Sequence, residues 1–267
     1  MGEKKRLDLL VCEKGLADSR QRAQQYIMAG EIFVGGQRVD KPGTAVDISL
    51  PLEHRGDTCP FVSRGGYKLD KALRVFPIDL KNAVCMDIGA STGGFTDCML
   101  QNGAKKVYCI DVGYGQLAWK LREDPRVVNF ERTNIRYLEP EKIADPVDFI
   151  SIDVSFISLE LVLPVAMRFL RPGGSLVALI KPQFEAGKDL VGKNGVVRDA
   201  KVHGFVIQKV LDFCREKGWT VSGLAFSPIK GPKGNVEFLL YVSDRPGDVD
   251  VFSVVDAAHQ NLDGDER

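Results

Sequence analysis

The stretch DIGASTGGFT, residues 87–96, decides the fold, because it follows the apolar run AVCMDIG and opens a helical pattern. A glycine-rich turn between a strand and a helix is where a nucleotide-type ligand meets backbone N–H groups. A dinucleotide fingerprint would carry glycine at its first, third and sixth positions, and here those are Gly89, Ser91 and Gly94. The middle glycine admits a pyrophosphate to the backbone, so Ser91 in its place argues against a dinucleotide. No Gly-Lys-Ser/Thr follows, which excludes a P-loop.

Outward from this turn, strand-like runs alternate with helical stretches: AVCMDIG, KKVYCIDVG, VDFISIDVSF and GGSLVALIKP. That alternation predicts an α/β fold, a mostly parallel Rossmann-like sheet covered on both faces, with ligands at the carboxyl ends of its strands. Asp111 ends the second run, 22 residues after Gly89, where a carboxylate can accept both hydroxyls of an adenosine ribose. Asn134, in RTNIR, follows the third strand, and its amide could reach the adenine or a nearby backbone. A ligand with adenosine but no pyrophosphate fits best, and S-adenosylmethionine is the cofactor expected. Its candidate contacts are Asp87, Gly89, Ala90, Ser91, Thr92, Gly93, Gly94, Asp111 and Asn134.

Charges gather at the same end of the sheet. Leu176–Ile180 reads as a strand buried on both faces, and an ammonium at its end, Lys181, costs desolvation energy unless something uses it. Asp153 ends FISIDVSF and projects into the same crevice. Glu237 opens VEFLLYV, expected as an antiparallel strand at the sheet edge, and Lys68 lies in SRGGYKLDKAL on a helix before the first strand, with Lys71 as the alternative lysine. Two lysines and two acids can thus meet.

The first 50 or so residues read differently. Ser19 is placed to cap a helix whose Ala23, Tyr26 and Ile27 share one face, Gly30 is placed to end it, and Gly35-Gly36 turns a small β unit. Arg20 and Arg22 fall in the first helical turn, where the helix dipole disfavours cations, so an external phosphate is the partner expected for them.

The segment RLDLLVCEKGLADSRQRAQQYIMAGEIFVGGQRVDKPG resembles the RNA-binding fold named after ribosomal small-subunit protein four, over residues 5 to about 50. The resemblance implies an RNA-facing role for Arg6, Ser19, Arg20, Arg22 and Lys41. From about Phe61 to Ser243 the glycine turn and the four charged positions resemble methyltransferases of the FtsJ type. Their Lys-Asp-Lys-Glu tetrad, here Lys68, Asp153, Lys181 and Glu237, methylates ribose 2'-hydroxyls of RNA. The two parts together resemble the TlyA family of ribosomal RNA 2'-O-methyltransferases, which target cytidines and often carry a haemolysin label. The partner implied is ribosomal RNA or a ribosomal subunit. A non-catalytic RNA-binding or ribosome-assembly protein is the alternative, and a cytolysin rests on the label alone.

In the chemistry so implied, Lys181 orients the hydroxyl and takes its proton. A lysine at its ordinary pKa of about 10.4 is a poor base at neutral pH, so burial or a neighbouring cation such as Lys68 is required. Asp153 would align Lys181, and Glu237 would fix both lysines. No Asn/Asp-Pro-Pro-aromatic run stands where amine methylation would need it, since that place reads DVSF, and no Pro-Cys pair offers a nucleophile for pyrimidine carbon methylation.

Composition sets the frame. The 267 residues are 44% hydrophobic, enough for sizeable cores. No run approaches the roughly 18 to 20 apolar residues of a membrane span, and MGEKKRLD lacks the apolar centre of a signal peptide, so a cytoplasmic protein without a membrane partner is expected. The six cysteines and three histidines are too scattered for a metal site, and reduced structural thiols are expected. From Asp244 onward seven acids face Arg245 and Arg267, which leaves 34 of the chain's 36 basic residues against 29 of its 36 acidic ones in the remainder. That surplus includes Arg64, expected to face RNA, and the cation-bearing loop EAGKDLVGKNGVVRDAK beside Lys181. Three regions follow: an RNA-binding domain at 1–60, a methyltransferase domain at 61–245 and an acidic tail at 246–267, expected to fray although VFSVVDAAHQNL has a helical pattern.

Overall fold

The computed structural model describes residues 3–28, 30–55, 59–231 and 233–262. It divides into two compact units, Met1–Pro60 and Phe61–Arg267.

In the first unit β1 (Lys4–Arg6), α1 (Leu7–Glu13) and α2 (Arg20–Met28) precede four short strands: β2 (Ile32–Val34), β3 (Gln37–Arg38), β4 (Ala45–Asp47) and β5 (Leu52–His54). Ser19 accepts the Arg22 backbone N–H at 3.2 Å, as an N-cap should. Ala23 and Ile27 turn one face of α2 into a core with Leu7, Leu10, Val11 and Ile32. Val34 pairs with Gln37 across Gly35-Gly36, both at positive φ, which makes a two-residue hairpin.

The second unit runs α3 (Gly66–Val75), β6 (Val84–Ile88), α4 (Gly94–Gln101), β7 (Lys106–Ile110), α5 (Trp119–Arg122), β8 (Val127–Phe130), β9 (Val147–Ile152), α6 (Leu159–Ala166), β10 (Leu170–Ile180), α7 (Pro182–Glu185), α8 (Ala200–Glu216), β11 (Val221–Phe226), β12 (Phe238–Val242) and α9 (Val251–Leu262). Seven strands form one sheet in the order β11-β12-β10-β9-β6-β7-β8. From β8 to β10 neighbours are parallel, whereas β12 is antiparallel to both β10 and β11. Residues Leu176–Ile180 of β10 are fully buried, as their apolar run requires.

Two expectations change here. The strand that follows Glu237 is antiparallel but lies inside the sheet, because β11 pairs along its outer side and takes the edge. The acidic end also does not simply fray: Val255, Ala258 and Leu262 of α9 are buried in the main core, and only its last five residues, 263–267, fall outside the described part. Among the described residues, no helix is long and apolar enough to cross a membrane.

The approach of α3 to α4 sets the position of Lys68. At Gly94, the first residue of α4, a Cβ would lie 2.3 Å from Ser63 Oγ and 2.8 Å from the Gly66 nitrogen. Asp97 of α4 reinforces the contact by accepting the Val62 N–H at 2.8 Å. Gly94→Ala should therefore push α3 aside and lower stability by about 1–3 kcal/mol, measured as a reduced midpoint in urea denaturation with an unchanged slope.

Candidate active site

The strand order inverts between β6 and β9, whose chains leave the sheet on opposite sides and open a crevice at their carboxyl ends. A cavity of about 480 Å³ fills it, within the range of small-molecule sites. Gly89, Ser91, Asp111, Val112, Gln116, Thr133, Asn134, Asp153, Ser155 and Phe156 are among its walls. At Gly89 the chain turns with φ +85°, and a Cβ there would stand 2.5 Å from the Asp153 carbonyl oxygen, so the turn and the β9 exit touch directly. Asp111 accepts the Ser91 N–H at 2.7 Å and the Gly113 N–H at 2.6 Å, which fixes its carboxylate on the crevice wall.

The residues of the turn divide between two environments. Gly89, Ser91, Asp111 and Asn134 line the cavity, whereas Asp87, Ala90, Thr92, Gly93 and Gly94 do not. Asp87 lies beneath it, fully buried, accepting the hydroxyls of Thr96 at 2.7 Å and Ser151 at 2.9 Å. Burial pushes its carboxyl up to about 6. Ala90 and Gly93 are buried, and a Cβ on Gly93 would stand 2.3 Å from Leu121. Thr92 contributes its carbonyl to the Ala118 N–H at 3.1 Å. Asn134 uses its side-chain oxygen to cap the following turn through the Arg136 N–H.

The four charged residues meet beside the cavity, and of the four Asp153 alone belongs to its lining. Asp153 follows β9, Lys181 follows β10 and Glu237 precedes β12, so the pairing of these strands brings three of them to one rim, and α3 supplies Lys68. Lys68 Nζ lies 2.7 Å from Glu237 Oε2 and 3.3 Å from Asp153 Oδ2, while Lys181 Nζ lies 2.5 Å from Asp153 Oδ1. Both lysines and Glu237 are buried, and the Asp153 side chain is 18% exposed toward the cavity. Burial alone would lower the Lys68 pKa, but Asp153 and Glu237 raise it above the ordinary value. Burial likewise disfavours the charge on Asp153, yet Lys68 and Lys181 hold its carboxyl below the usual range. Among the described residues no ion pair joins Glu237 to Lys181, so Glu237 fixes one lysine rather than both. Lys71, the alternative lysine, instead sits 3.2 Å from the centre of the Phe226 ring.

Sequence reasoning passed over Ser155 and Phe156. The Ser155 hydroxyl accepts from Lys181 Nζ at 3.1 Å. Phe156 is 90% exposed at a backbone φ of +64°, and its ring lies 5.0 Å from that of Phe184. The signal was an aromatic one residue past a serine at a strand end, in the run DVSF.

In the first unit Arg6 and Arg20 have an internal partner: the buried Asp8 accepts Arg6 Nη2 and Arg20 Nε, each at 2.9 Å. The Arg6 guanidinium, foremost, holds the Asp8 carboxyl well below the usual range. Arg22 donates to the Tyr26 hydroxyl at 3.0 Å. Packing within the unit therefore accounts for Arg20 and Arg22 despite the helix dipole, which an external phosphate alone was expected to do. Arg6, Ser19, Arg20 and Lys41 remain exposed, as does Arg64 in the second unit.

A sheet of this order, with a glycine turn after β6 and a carboxylate after β7, defines a Rossmann-like methyltransferase. Residues 61–243 match the family described as FtsJ-like methyltransferase, and residues 5–50 match the S4 domain. Bacillus subtilis YqxC is 50% identical over 270 residues, 97% of this chain and 96% of that protein. The Mycobacterium tuberculosis protein named 16S/23S rRNA (cytidine-2'-O)-methyltransferase TlyA is 45% identical over 243 residues, 91% of each chain. A solved Streptococcus thermophilus structure carrying a hemolysin name matches with a TM-score of 0.79 at 45% identity, covering 100% of this chain and 99% of that one. The chain belongs to the FtsJ-like methyltransferase family, and carries an S4 domain ahead of the methyltransferase unit.

The raised Asp87 carboxyl yields a signed prediction. Its folded pKa of about 6 exceeds the unfolded value of about 3.9, so its contribution is fully present below pH ~4 and is lost as pH rises through ~6. Asp87→Asn removes that loss. The midpoint of the variant minus that of wild type should rise between pH ~4 and ~6 and then level off, as read by thermal unfolding at a series of pH values.

Proposed function

We propose that the chain transfers a methyl group from S-adenosylmethionine to a ribose 2'-hydroxyl of ribosomal RNA, that of a cytidine, on free RNA or on a ribosomal subunit. The observation that carries this reading is the chain of ion pairs Glu237, Lys68, Asp153, Lys181 against the wall of the crevice. The names of the relatives support the substrate class. A ribosomal substrate implies a cytoplasmic site of action.

The cavity suits the donor. Asp111 keeps unused lone pairs for ribose hydroxyls while two backbone N–H groups fix its orientation, and the bare Gly89 leaves room for a chain lying along the turn. Gly89, Ser91, Asp111 and Asn134 would hold S-adenosylmethionine. When bound, it supplies an electrophilic methyl group.

The chain's own residues then have separable tasks. A ribose hydroxyl is a weak nucleophile, so position is as important as proton removal. Lys181, in its neutral amine form, receives the hydroxyl proton on its lone pair, forming an N–H bond as the O–H bond breaks. Asp153 holds Lys181 at the crevice wall. Lys68, kept charged by two carboxylates, remains a fixed cation beside the shared Asp153 and contacts the substrate backbone. Glu237 fixes Lys68.

Around the crevice lies a surface suited to unstacked RNA. Arg132 sits 4.2 Å from the Tyr114 ring centre and Arg136 sits 5.4 Å from that of Tyr137, with no carboxylate paired to either among the described residues. Both tyrosines are largely exposed, and Phe156 with Phe184 adds a further aromatic edge. Aromatic faces and guanidinium groups together accept splayed bases and phosphates. Lys188, Lys193 and Arg198, on the loop beyond Lys181, are exposed as well.

Tritium transfer from labelled S-adenosylmethionine into ribosomal subunits, followed by mapping of 2'-O-methyl positions, tests the reading. Lys181→Ala should lower the single-turnover rate by about 10²–10⁴ while donor binding holds; full activity in that variant would remove Lys181 as the base. Arg132→Ala should weaken RNA binding and reduce the slope of log affinity against log salt by about 0.7–0.9, as a titration over several salt concentrations would record.

A further inference from the structure

Each ammonium of the charge cluster has a different set of acceptors. Lys68 meets two carboxylates, Asp153 and Glu237. Lys181 meets one carboxylate, Asp153, and one neutral hydroxyl, Ser155. Among the described residues these two are its polar partners, and the contact to Ser155 is the one with hydrogen-bond geometry. A neutral amine has two N–H bonds and one lone pair in a tetrahedral array. With one hydrogen bonded to Ser155 Oγ and Asp153 Oδ1 standing 2.5 Å away, one direction is left at Lys181 Nζ, the direction from which a proton must arrive.

Resting on the reading of Lys181 as the base, we infer that Ser155 is a positioning residue that sets the rotation of the Lys181 amine and aims its lone pair at the substrate hydroxyl. The Asp153 Oδ1 contact is an ion pair without hydrogen-bond geometry, so by itself it leaves Nζ free to turn about the Cε–Nζ bond. The second contact, from Ser155, removes that freedom. In the ammonium state the same arrangement directs the third N–H at the substrate oxygen, so one geometry serves both before and after proton transfer. Ser155 is exposed and lines the cavity, as does Asp153, so both partners of Lys181 Nζ stand at the crevice wall.

The segment that carries Ser155 is held for this purpose. The next residue, Phe156, has a backbone φ of +64°, a strained conformation for a non-glycine residue that persists only where the surroundings enforce it. Those surroundings include Glu185, at the end of α7, which accepts the Ser158 hydroxyl and the Leu159 N–H, both at 2.7 Å. The short helix that begins beside Lys181 thus grips the far end of the loop that carries Ser155. Lysine and serine are tied together at two points, once through Nζ and once through Glu185.

The test compares Ser155→Ala, Ser155→Thr and Lys181→Ala in the full chain, with ribosomal subunits from cells lacking this protein and tritiated S-adenosylmethionine. Ser155→Ala should lower the single-turnover rate at saturation about tenfold or more, as misorientation of a reacting group does. KM for the subunits, donor affinity by calorimetry and the thermal midpoint should stay near wild type. Ser155→Thr, which keeps the hydroxyl, should recover most of the rate. An inactive Lys181→Ala beside a fully active Ser155→Ala overturns this inference and leaves the base assignment standing. A fully active Lys181→Ala overturns the base assignment and this inference with it. Equal loss in Ser155→Ala and Ser155→Thr, with weakened donor binding, would make Ser155 a packing residue and also overturn it.

Discussion

One carboxylate, that of Asp153, carries the arrangement of the methyltransferase unit. Its two oxygens face two different ammonium groups, and its backbone carbonyl touches the glycine turn that forms the crevice wall. Burying charge costs several kcal/mol per ion unless partners compensate. Here two cations and two anions meet with no net charge, so the cluster can lie almost wholly out of water. Replacing such a cluster by apolar residues is often neutral or stabilising. Fold stability therefore does not by itself account for such a cluster beside the cavity. Asp153 reaches this place because the sheet reverses its strand order between β6 and β9, and the residue after β9 must emerge beside the residue after β6.

The N-terminal unit uses the same device at smaller scale. Asp8 is wholly buried, yet its carboxylate accepts from Arg6, Arg20 and Gln24. Two guanidinium groups that would repel each other in isolation are held side by side, with the rest of each side chain still exposed. A basic surface whose members are fixed in advance loses less conformational freedom when it meets phosphate. The same contacts give the two arginines a structural share in the unit. In the two units alike, a shared carboxylate sets where the cations stand.

What could be read from the amino-acid sequence followed from short-range rules. The alternation of apolar runs with helical stretches dictated a parallel sheet, because strands buried on both faces need apolar residues at every position. The residue that ends each strand could be placed at the ligand-binding end without coordinates, which brought Asp111, Asp153 and Lys181 to the crevice. Lys68 and Glu237 could be named from their places on a preceding helix and a late strand, but likeness to a family motif was needed to choose them as members of one tetrad, since neither periodicity nor composition sets those elements against that rim.

Tertiary contact decided the rest. Seven turn and strand-end residues from Asp87 to Gly94 look equivalent in one dimension, but a backbone that twists through left-handed φ at Gly89, Ser91 and Gly93 sends some toward the cavity and others away from it. The strand after Glu237 could not be recognised as internal, because pairing with β11 is long-range and leaves no local mark. Ser155 and Phe156 gained significance only once the ends of β9 and β10 were adjacent. Local sequence fixes which way a strand runs and what it buries. Which charges share one carboxylate depends on strand order and close approach, and those are set by packing between segments far apart along the chain.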